Sequence, residues 1–355
     1  MGILSGYLMR TILASTMLVL LVLLALAGLF EFIAQLEDTQ GNYGIPQALL
    51  YSALRLPQLS FEMLPIAALI GSLLGLGGLA SSSELVVMRT AGISVARFAA
   101  MTAISGLVLL VITALIGEFI GPALDYFARN MRNETRFEQE DSVYGSDLWV
   151  KDGSVMLNLE RINTEFEFGS LDQYRFNDDR SLRSIVRAGN AGIDEESDRW
   201  ILENVRETIF HEDRIEARVS PVTIETFAVN SDLLGITLVK PVSLSARGLL
   251  SYIGYLKRNG LSAERYETEL WSRVSRTATV LVMPVLALAF VFGSLRSSGY
   301  GTRLMLGVLI GLAYFLASEM LTNSGQVFDL NPAVVTWLPS IALVLVTVFA
   351  LSRVR

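Results

Sequence analysis

Three arginines follow the third long apolar stretch of the chain at a spacing that suggests a chemical role. Arg129, Arg132 and Arg136 occupy positions i, i+3 and i+7, which lie on one face of an α-helix. A guanidinium group is planar, permanently charged and able to hold a phosphate through two parallel hydrogen bonds. The pattern predicts a rim that collects an anionic head group at a membrane surface.

Other arginines approach the same level from neighbouring segments. Arg273 and Arg276 precede the fourth apolar stretch, and Arg55 lies near the start of the second. An alternative explanation is that these charges are solvated and pair with acids close to them, an arrangement that stabilises a protein little. The acids available for such pairs are Asp125, Glu134 and Glu138. The residues alone leave both explanations open.

A second pattern lies between the second and third apolar stretches, in residues 80–94. Three serines at 81–83 offer N-cap hydroxyls, and Glu84 follows where a carboxylate complements the helix dipole. Gly92 then supplies a C-terminal stop. The pattern predicts a short helix over residues 84–91, outside the bilayer. Its apolar residues 85–88 either lie on the lipid interface and neighbouring helix ends or dock into the groove of a cytoplasmic partner.

Composition excludes several classes of chemistry. The chain of 355 residues has no cysteine and one histidine, which excludes disulfides, thiolate metal sites, paired-histidine zinc motifs and most catalytic triads. His211 is followed by two acids, a pattern that indicates a surface turn. The net charge of −7 does not favour nucleic-acid binding. No P-loop is present, so any ATP must bind to another subunit. We expect no catalytic residues, metal or cofactor in this chain.

The elements that must position these residues are six apolar stretches, each close to the length that crosses a bilayer. Three precede a large polar insert and three follow it. They cover residues 12–30, 59–79, 98–117, 278–295, 304–318 and 333–351.

The short loops predict the orientation. If both termini are cytoplasmic, arginines concentrate in the short cytoplasmic loops and acids predominate in the short loops on the opposite side, as the positive-inside rule expects. The cytoplasmic arginines are then Arg10, Arg89, Arg97, Arg296, Arg303, Arg353 and Arg355. Residues 81–97 are therefore expected in the cytoplasm, and the polar insert on the far side of the membrane.

The polar insert has the pattern of a β domain. Two apolar triplets flank the turn at residues 151–154, and Asp-Gly between apolar runs is a strong hairpin signal. Short strands with turn clusters between them favour a sandwich or jelly roll. The predicted strands are 148–150, 155–157, 166–176, 182–193, 200–210, 215–220 and 223–229. An apolar stripe then predicts a helix that ends at Asn259-Gly260, before a polar helix that leads into the fourth span.

The predicted fold is thus an α-helical membrane protein with six transmembrane helices, arranged 3+3, and an inserted all-β domain. Residues 1–136 form the first three helices, 137–265 the insert with its helical linker, and 266–355 the last three helices. Glycines recur in the second and fifth spans at a spacing that lets helices approach closely, within the chain or with another subunit. These are Gly71, Gly75, Gly78, Gly307 and Gly311.

The whole chain resembles the LptF/LptG family of lipopolysaccharide export permeases. Residues 83–88 look like the coupling helix of that family, in a form closer to its LptG branch than to its LptF branch. Other matching stretches are residues 128–130, 149–153, 255–257, 271–272 and 292–297. Together they are specific, although each alone is weak. In one respect the chain departs from the family, since Glu31, Glu37 and Asp38 stand where enterobacterial members are rich in lysine.

The resemblance implies a non-catalytic permease subunit of an ATP-binding-cassette transporter in the bacterial inner membrane, with its β domain in the periplasm. The implied partners are the paired permease LptF, a dimer of the ATPase LptB that uses ATP and Mg²⁺, LptC with the periplasmic bridge, and lipopolysaccharide itself. The family builds its lipid cavity from the first, second and fifth spans. By resemblance, Glu84 matches the coupling-helix glutamate that faces the ATPase, and Arg129 and Arg132 match basic positions near the lipopolysaccharide cavity. The full set of residues expected to couple to the ATPase is Ser83, Glu84, Leu85, Val87, Met88 and Arg89. The residues expected to bind lipopolysaccharide are Arg55, Arg129, Arg132, Arg136, Arg273 and Arg276.

Two other classes of protein fit the residues less well. A membrane-anchored enzyme acting on envelope lipids would need a nucleophile or metal set that the sequence does not offer. A structural adaptor would tether envelope proteins through the β domain. Stable copurification with a cytoplasmic ATPase favours the permease over both.

Overall fold

The computed structural model describes residues 2–37, 43–137, 147–161, 167–194, 199–227, 241–292, 299–328 and 330–353. The chain forms two compact units. The helical unit comprises Met1–Arg132, Pro241–Leu249 and Glu264–Arg355, and the β unit comprises Asn133–Lys240 and Leu250–Ala263. The β unit is thus inserted into the sequence of the helical unit.

The described residues contain nine α-helices. They are α1 (Gly2–Glu37), α2 (Ile45–Ser81), α3 (Glu84–Thr90), α4 (Val95–Leu115), α5 (Gly121–Phe137), α6 (Ala246–Arg258), α7 (Glu264–Phe292), α8 (Tyr300–Val327) and α9 (Pro332–Arg353). A π-helical turn, Ile116–Ile120, joins α4 to α5.

Within the described ranges, six helical segments are long and apolar enough to cross a membrane, which confirms the predicted 3+3 arrangement. The third span runs without a break through α4, the π-helical turn and most of α5. The polar helix expected before the fourth span is confirmed as the first turns of α7, which continue directly into apolar sequence. The predicted end of that span, at residues 293–295, lies outside the described residues.

Helix α2 is the centre of the helical unit. It is the most buried of the six candidate spans, and it packs against α1, α7 and α8. Its buried residues Leu69, Leu73 and Leu76 belong to one core cluster that also contains Leu8 and Ile12 of α1. Helices α1 and α8, by contrast, are the two least buried spans. Their outward faces carry large apolar side chains such as Leu18 and Met305.

The described strands of the β unit form one antiparallel sheet, which confirms the all-β insert. The strands are β1 (Asp147–Asp152), β2 (Val155–Arg161), β3 (Glu167–Phe176), β4 (Leu182–Ala188), β5 (Asn190–Asp194), β6 (Arg199–Phe210) and β7 (Ile215–Glu225). Strands β4 and β5 keep one register against β3 and β6, so they act as a single strand interrupted at Gly189.

The Asp-Gly hairpin is confirmed. Asp152 pairs with Val155 at the end of the β1–β2 ladder, and Gly153 adopts a φ of 58°, a left-handed conformation that glycine tolerates without a steric cost. Trp149 stacks on Tyr174 of β3 at a centroid distance of 5.8 Å. The hairpin therefore forms where the local sequence predicts it.

The two strands predicted at 215–220 and 223–229 are instead one strand, β7, as far as Glu225. Pro221 lies between the two predicted strands, and a proline cannot donate to a strand ladder. In the structure β7 pairs with β6 alone among the described strands, with Ser220 opposite Val205 and Val222 opposite Glu203. An edge strand tolerates a proline whose missing N–H faces away from its neighbour.

Within the β unit, helix α6 and Asn259, the residue that follows it, are hydrogen-bonded to the β1–β2 hairpin, a contact that we call the clasp. The Tyr255 hydroxyl donates to the Lys151 carbonyl at 2.7 Å, and the Lys151 ammonium donates to the Asn259 carbonyl at 2.9 Å. The Gly153 N–H donates to Asn259 Oδ1 at 2.7 Å. Two sequence stretches about one hundred residues apart, 149–153 and 255–259, thus form a single contact.

Candidate functional site

A cluster of arginines and carboxylates lies where α1, α2 and α5 meet. Asp125 accepts a hydrogen bond from Arg129 Nε at 2.8 Å and another from Arg55 Nε at 3.2 Å. The Nη1 group of Arg55 also reaches Glu31 Oε1 at 2.6 Å. We call these four residues, with Arg132, the arginine cluster. Residues from three different helices are therefore held at one level of the helical unit.

Asp125 is the anchor of the arginine cluster. It is fully buried, and the Ser243 hydroxyl also donates to its Oδ2. A buried carboxylate is costly unless it is paired and hydrogen-bonded, and Asp125 satisfies both conditions. The Arg129–Asp125 pair predicted as an alternative to ligand binding is thus present, but it is not a solvated surface pair.

Arg132 joins the cluster through an aromatic ring. Its guanidinium lies 5.5 Å from the centre of the Tyr51 ring, a cation–π distance. Arg55 and Arg129 share the Asp125 carboxylate, and Arg55 also bonds Glu31. A charge that is partly shielded from water attracts an anion more strongly than a solvated charge does. Arg136 belongs to the same helix, α5, but its side chain lies outside the described residues.

Glu31, one of the three acids near the end of the first span, has a structural role. Its carboxylate is half-buried and bonded to Arg55 and to Gln35 Nε2, so it orients an arginine of the cluster. Glu37, one helical turn and a half further on, is exposed. Asp38 lies outside the described residues.

Arg273 and Arg276 form a separate group beside the π-helical turn. Arg273 is 5% exposed and donates to the carbonyls of Gly117 and Val242 at 2.8 and 2.7 Å, and to Glu269 at 3.3 Å. Its hydrogen bonds therefore link helix α7 to the third span. Arg276 lies 5.9 Å from the Phe61 ring centre and lines a small cavity of about 10 Å³. Glu62 and Glu319 also line that cavity.

Helix α3 lies at the other end of α2 from the arginine cluster. The hydroxyl capping expected from the three serines is wrong, because the N-cap residue Ser83 makes no side-chain cap bond and has a φ of 60°. The serine hydroxyls serve other acceptors: Ser81 donates to the Gly77 carbonyl and Ser82 to Glu84 Oε1 at 2.9 Å. A left-handed N-cap turns the Ser83 side chain away from the first N–H groups of the helix.

The C-terminal stop of α3 at Gly92 is confirmed. Gly92 has a φ of 90°, its N–H donates to the Arg89 carbonyl at 3.0 Å, and the Ile93 N–H donates to the Met88 carbonyl at 3.4 Å. This pair of bonds is the Schellman motif that ends many helices with glycine. The sequence therefore located the end of α3 correctly but not the chemistry of its start.

The two faces of α3 differ sharply. Leu85 is buried and Met88 packs against the same core cluster, while Val86 and Val87 are exposed. Arg89 lies 5.6 Å from the Phe292 ring centre. A groove of about 310 Å³ runs beside α3, lined by Leu85, Val86 and Arg89 together with Ala80, Thr90, Val291 and Phe292.

Four of the five predicted packing glycines lie at helix contacts within the helical unit. A Cβ added to Gly71 would lie 2.4 Å from the Thr16 Cα, and one added to Gly75 would lie 2.8 Å from Ser15 Oγ. Gly307 and Gly311 of α8 approach Leu73 and Ile66 of α2 in the same way. Gly78 is half-buried, and its carbonyl accepts from the Ser82 N–H at 3.0 Å.

Two residues near α3 carry contacts that the sequence pattern did not single out. Arg303, which the sequence assigns to a cytoplasmic loop, is 1% exposed and donates to Ser81 Oγ at 2.9 Å and to the Gly77 carbonyl. The Tyr7 hydroxyl donates to Glu84 Oε2 at 2.8 Å. Both contacts join residues more than seventy positions apart, so no local motif indicates them.

Comparisons with known proteins agree along the whole chain. The sequence profile of the family described as lipopolysaccharide export system permease LptF/LptG matches residues 6–353. The lipopolysaccharide export system permease protein LptG of Escherichia coli K12 is 33% identical over 355 residues, covering 99% of this chain and 98% of that protein. The protein of the same name from Haemophilus influenzae is 31% identical over 354 residues, covering 99% of both.

Proposed function

The chain belongs to the LptF/LptG family of lipopolysaccharide export permeases, and we propose that it is the membrane subunit of an ATP-binding-cassette transporter. It is a multi-pass inner-membrane protein. In this proposal the subunit takes lipopolysaccharide from the outer leaflet of the inner membrane and passes it to a periplasmic bridge toward the outer membrane. ATP hydrolysis takes place on a separate subunit.

The proposed partners follow from that role. A second permease of the family, LptF, completes the membrane-spanning part, and a cytoplasmic dimer of the ATPase LptB docks on α3 and binds ATP and Mg²⁺. LptC receives the lipid at the start of the bridge. The exposed Val86 and Val87, beside the groove next to α3, are apolar contacts suited to a protein partner.

We infer an orientation with both termini in the cytoplasm and the β unit in the periplasm. The arginine bias of the short loops supports it, and so does the placement of the two candidate sites on α2. Arg55 and Ser81 lie about 39 Å apart along a regular helix, which is close to the thickness of a bilayer. The arginine cluster then lies at the periplasmic level and α3 at the cytoplasmic one.

One observation carries the assignment of a lipid cargo: the arginine cluster gathers three guanidinium groups near the end of a helix, α1, whose outer face is apolar. Phosphate groups of a lipid head suit Arg129, Arg132 and Arg55 through charge-assisted bonds. Its acyl chains suit exposed residues of α1 such as Leu18, Leu21 and Leu29. An anionic amphiphile is complementary to both surfaces at once.

Arg132 is the sharper probe of this site. Charge reversal at Arg129 would place a second carboxylate against the buried Asp125 and disturb the cluster itself. We expect Arg132→Glu to lower photocrosslinking of lipopolysaccharide to the purified complex about tenfold, because a charge-assisted contact is replaced by repulsion. Arg132→Lys keeps the charge and should retain most of the crosslinking.

The same preparation separates the alternatives. The lower crosslinking supports the proposed site only if two conditions hold. The chain must copurify with LptB and LptF, and the thermal stability of Arg132→Glu must be unchanged. Undiminished crosslinking by Arg132→Glu in an intact complex would show that the cluster is structural. Failure of the wild-type chain to copurify with any ATPase would favour the envelope enzyme or the adaptor instead.

A further inference from the structure

Side chains from two different helices bond residues 77–84, the stretch that contains the end of α2 and the start of α3. The first contact comes from α1. The Tyr7 hydroxyl donates to Glu84 Oε2 at 2.8 Å, while Ser82 Oγ donates to the other carboxylate oxygen at 2.9 Å. Hydrogen bonds to an ionised acceptor are about twice as strong as neutral ones. The carboxylate in the first turn of α3 is therefore fixed to the N-terminal part of α1.

The second contact comes from α8. Arg303, in the first turn of that helix, is 1% exposed and donates through Nη1 to Ser81 Oγ at 2.9 Å and to the Gly77 carbonyl. Gly77 lies in the last turns of α2, where the helix dipole favours a cation. A Cβ on Gly77 would lie 2.7 Å from Arg303 Cδ, so the glycine makes room for this side chain.

A buried guanidinium is an expensive way to join two helices. Apolar side chains of similar volume would stabilise such a contact as well or better, so its cost suggests a purpose other than stability. Its geometry is specific, because the planar guanidinium bonds a carbonyl and a hydroxyl at fixed angles. Tyr7 bonds Glu84 in the same stretch of chain. Residues 77–84 are thus hydrogen-bonded to both α1 and α8, the two least buried spans.

We propose that Tyr7 and Arg303 are positioning residues: Tyr7 ties the first span to α3, and Arg303 ties the fifth span to the end of α2 that leads into α3. A displacement of α3 together with the end of α2 then moves both spans. This inference rests on the proposed function, since an ATPase docked on α3 supplies the displacement. Through these two contacts, movement at α3 reaches α1 and α8, the spans whose apolar outer faces are exposed.

The test measures coupling in the reconstituted complex of the chain with LptF, LptB and LptC. Tyr7→Phe removes one oxygen from a side chain that is 42% exposed, so we expect the variant to fold. We expect lipopolysaccharide released per ATP hydrolysed to fall about threefold, because one charge-assisted bond is lost. The KM for ATP and copurification with LptB stay unchanged. Arg303→Met should lower the same ratio further, and Arg303→Lys should restore part of it.

Matched controls exist in the chain. Tyr126→Phe alters another exposed tyrosine, and Arg265→Met alters an exposed arginine at the start of α7; neither should change release per ATP. The chain has no cysteine, so spin labels at Leu18→Cys and Val308→Cys report the separation of α1 and α8. We expect the nucleotide-dependent change in that distance to shrink in Tyr7→Phe.

The outcomes separate the two proposals. A wild-type complex that neither retains LptB nor releases lipopolysaccharide overturns the proposed function. The coupling inference alone is overturned if the wild-type complex transports and the Tyr7→Phe and Arg303→Met variants keep its release per ATP and its nucleotide-dependent change in label separation. If Arg303→Met does not fold, the Tyr7→Phe result still decides.

Discussion

At the scale of single residues, Asp125 organises the proposed cargo site without being able to bind an anion itself. It is fully buried and accepts from Arg55, Arg129 and Ser243. Its negative charge offsets part of the repulsion among the arginines and fixes the directions of two guanidinium groups. A ligand that meets the cluster therefore finds cations already in place, which lowers the conformational entropy lost on binding.

The first prediction concerns that anchor. Asp125→Asn leaves two partly buried guanidinium groups without their shared counter-charge, so we expect the free energy of unfolding to fall by about 3 kcal/mol. Thermal unfolding of the purified protein in detergent measures the change. Asp172→Asn is the matched control, because its partner Arg187 is largely exposed and such surface pairs contribute less than about 1 kcal/mol. Equal effects of the two substitutions would contradict the anchoring role of Asp125.

At the scale of elements, the backbones of α1 and α2 approach each other closely. Gly71 faces the backbone of Thr16, where an added Cβ would lie 2.4 Å from the Thr16 Cα and 2.6 Å from its amide nitrogen. A backbone cannot move aside as the end of a side chain can. Small residues at such a seam allow van der Waals contact along the helices, a main source of helix association in a bilayer.

The second prediction follows from that seam. Gly71→Ala should push α1 away from α2 and lower both the yield and the melting temperature of the protein in detergent. Gly6→Ala, in the same helix pair, should change neither, because nothing lies within 4 Å of a Cβ there. An equally stable Gly71→Ala protein would mean that the helices separate without cost.

The clasp between α6 and the β1–β2 hairpin makes a prediction about pH. Burial raises the pKa of Tyr255 to about 12, against about 10 for a tyrosine in an unfolded chain. The folded β unit thus favours the neutral hydroxyl. Its stabilising contribution is complete below pH 10 and is lost as the pH rises from about 10 to 12.

Tyr255→Phe tests the clasp. At pH 8 we expect it to cost about 1 kcal/mol, because the hydrogen bond to the Lys151 carbonyl is lost. Between pH 10 and 12 its melting temperature should fall less steeply than that of the wild type, since no ionisable group remains at this position. Tryptophan fluorescence of the full chain follows the transition, and Tyr126→Phe serves as the control. Parallel pH curves for Tyr255→Phe and the wild type would contradict the assignment.

At the scale of the whole molecule, the chain separates its two proposed sites along α2. The helical unit carries α3 beyond one end of that helix and the arginine cluster near the other. The most buried span thus connects the proposed docking site for a protein partner to the proposed lipid site. Such an arrangement suits a subunit that transmits work across a membrane.

The fourth prediction tests the orientation directly. Because the chain has no cysteine, single cysteines report one position each. Val219→Cys in β7, at a residue that is 77% exposed, should react with an impermeant maleimide in intact spheroplasts. Ala96→Cys, exposed at the start of α4, should react only after lysis. The reverse pattern of labelling would overturn the inferred orientation.

The sequence by itself determined the features that depend on local pattern. Hydropathy located the six spans because each must satisfy its backbone bonds within one helix. The Asp-Gly turn and the Gly92 stop were predictable because left-handed conformations at these positions require particular residue types. The arginine face of α5 followed from helical spacing alone. Each of these features is decided by neighbours within about ten residues.

The tertiary structure decided which of these residues meet, and that altered their roles. Arg273 and Arg303 resemble the other arginines in sequence, yet burial commits them to carbonyl acceptors in distant helices. Glu84 was evident as a helix-start acid, but its bond to Tyr7 depends on the packing of α1. The physical reason is that a charge takes its partners from three-dimensional proximity, which helix packing sets and local spacing does not.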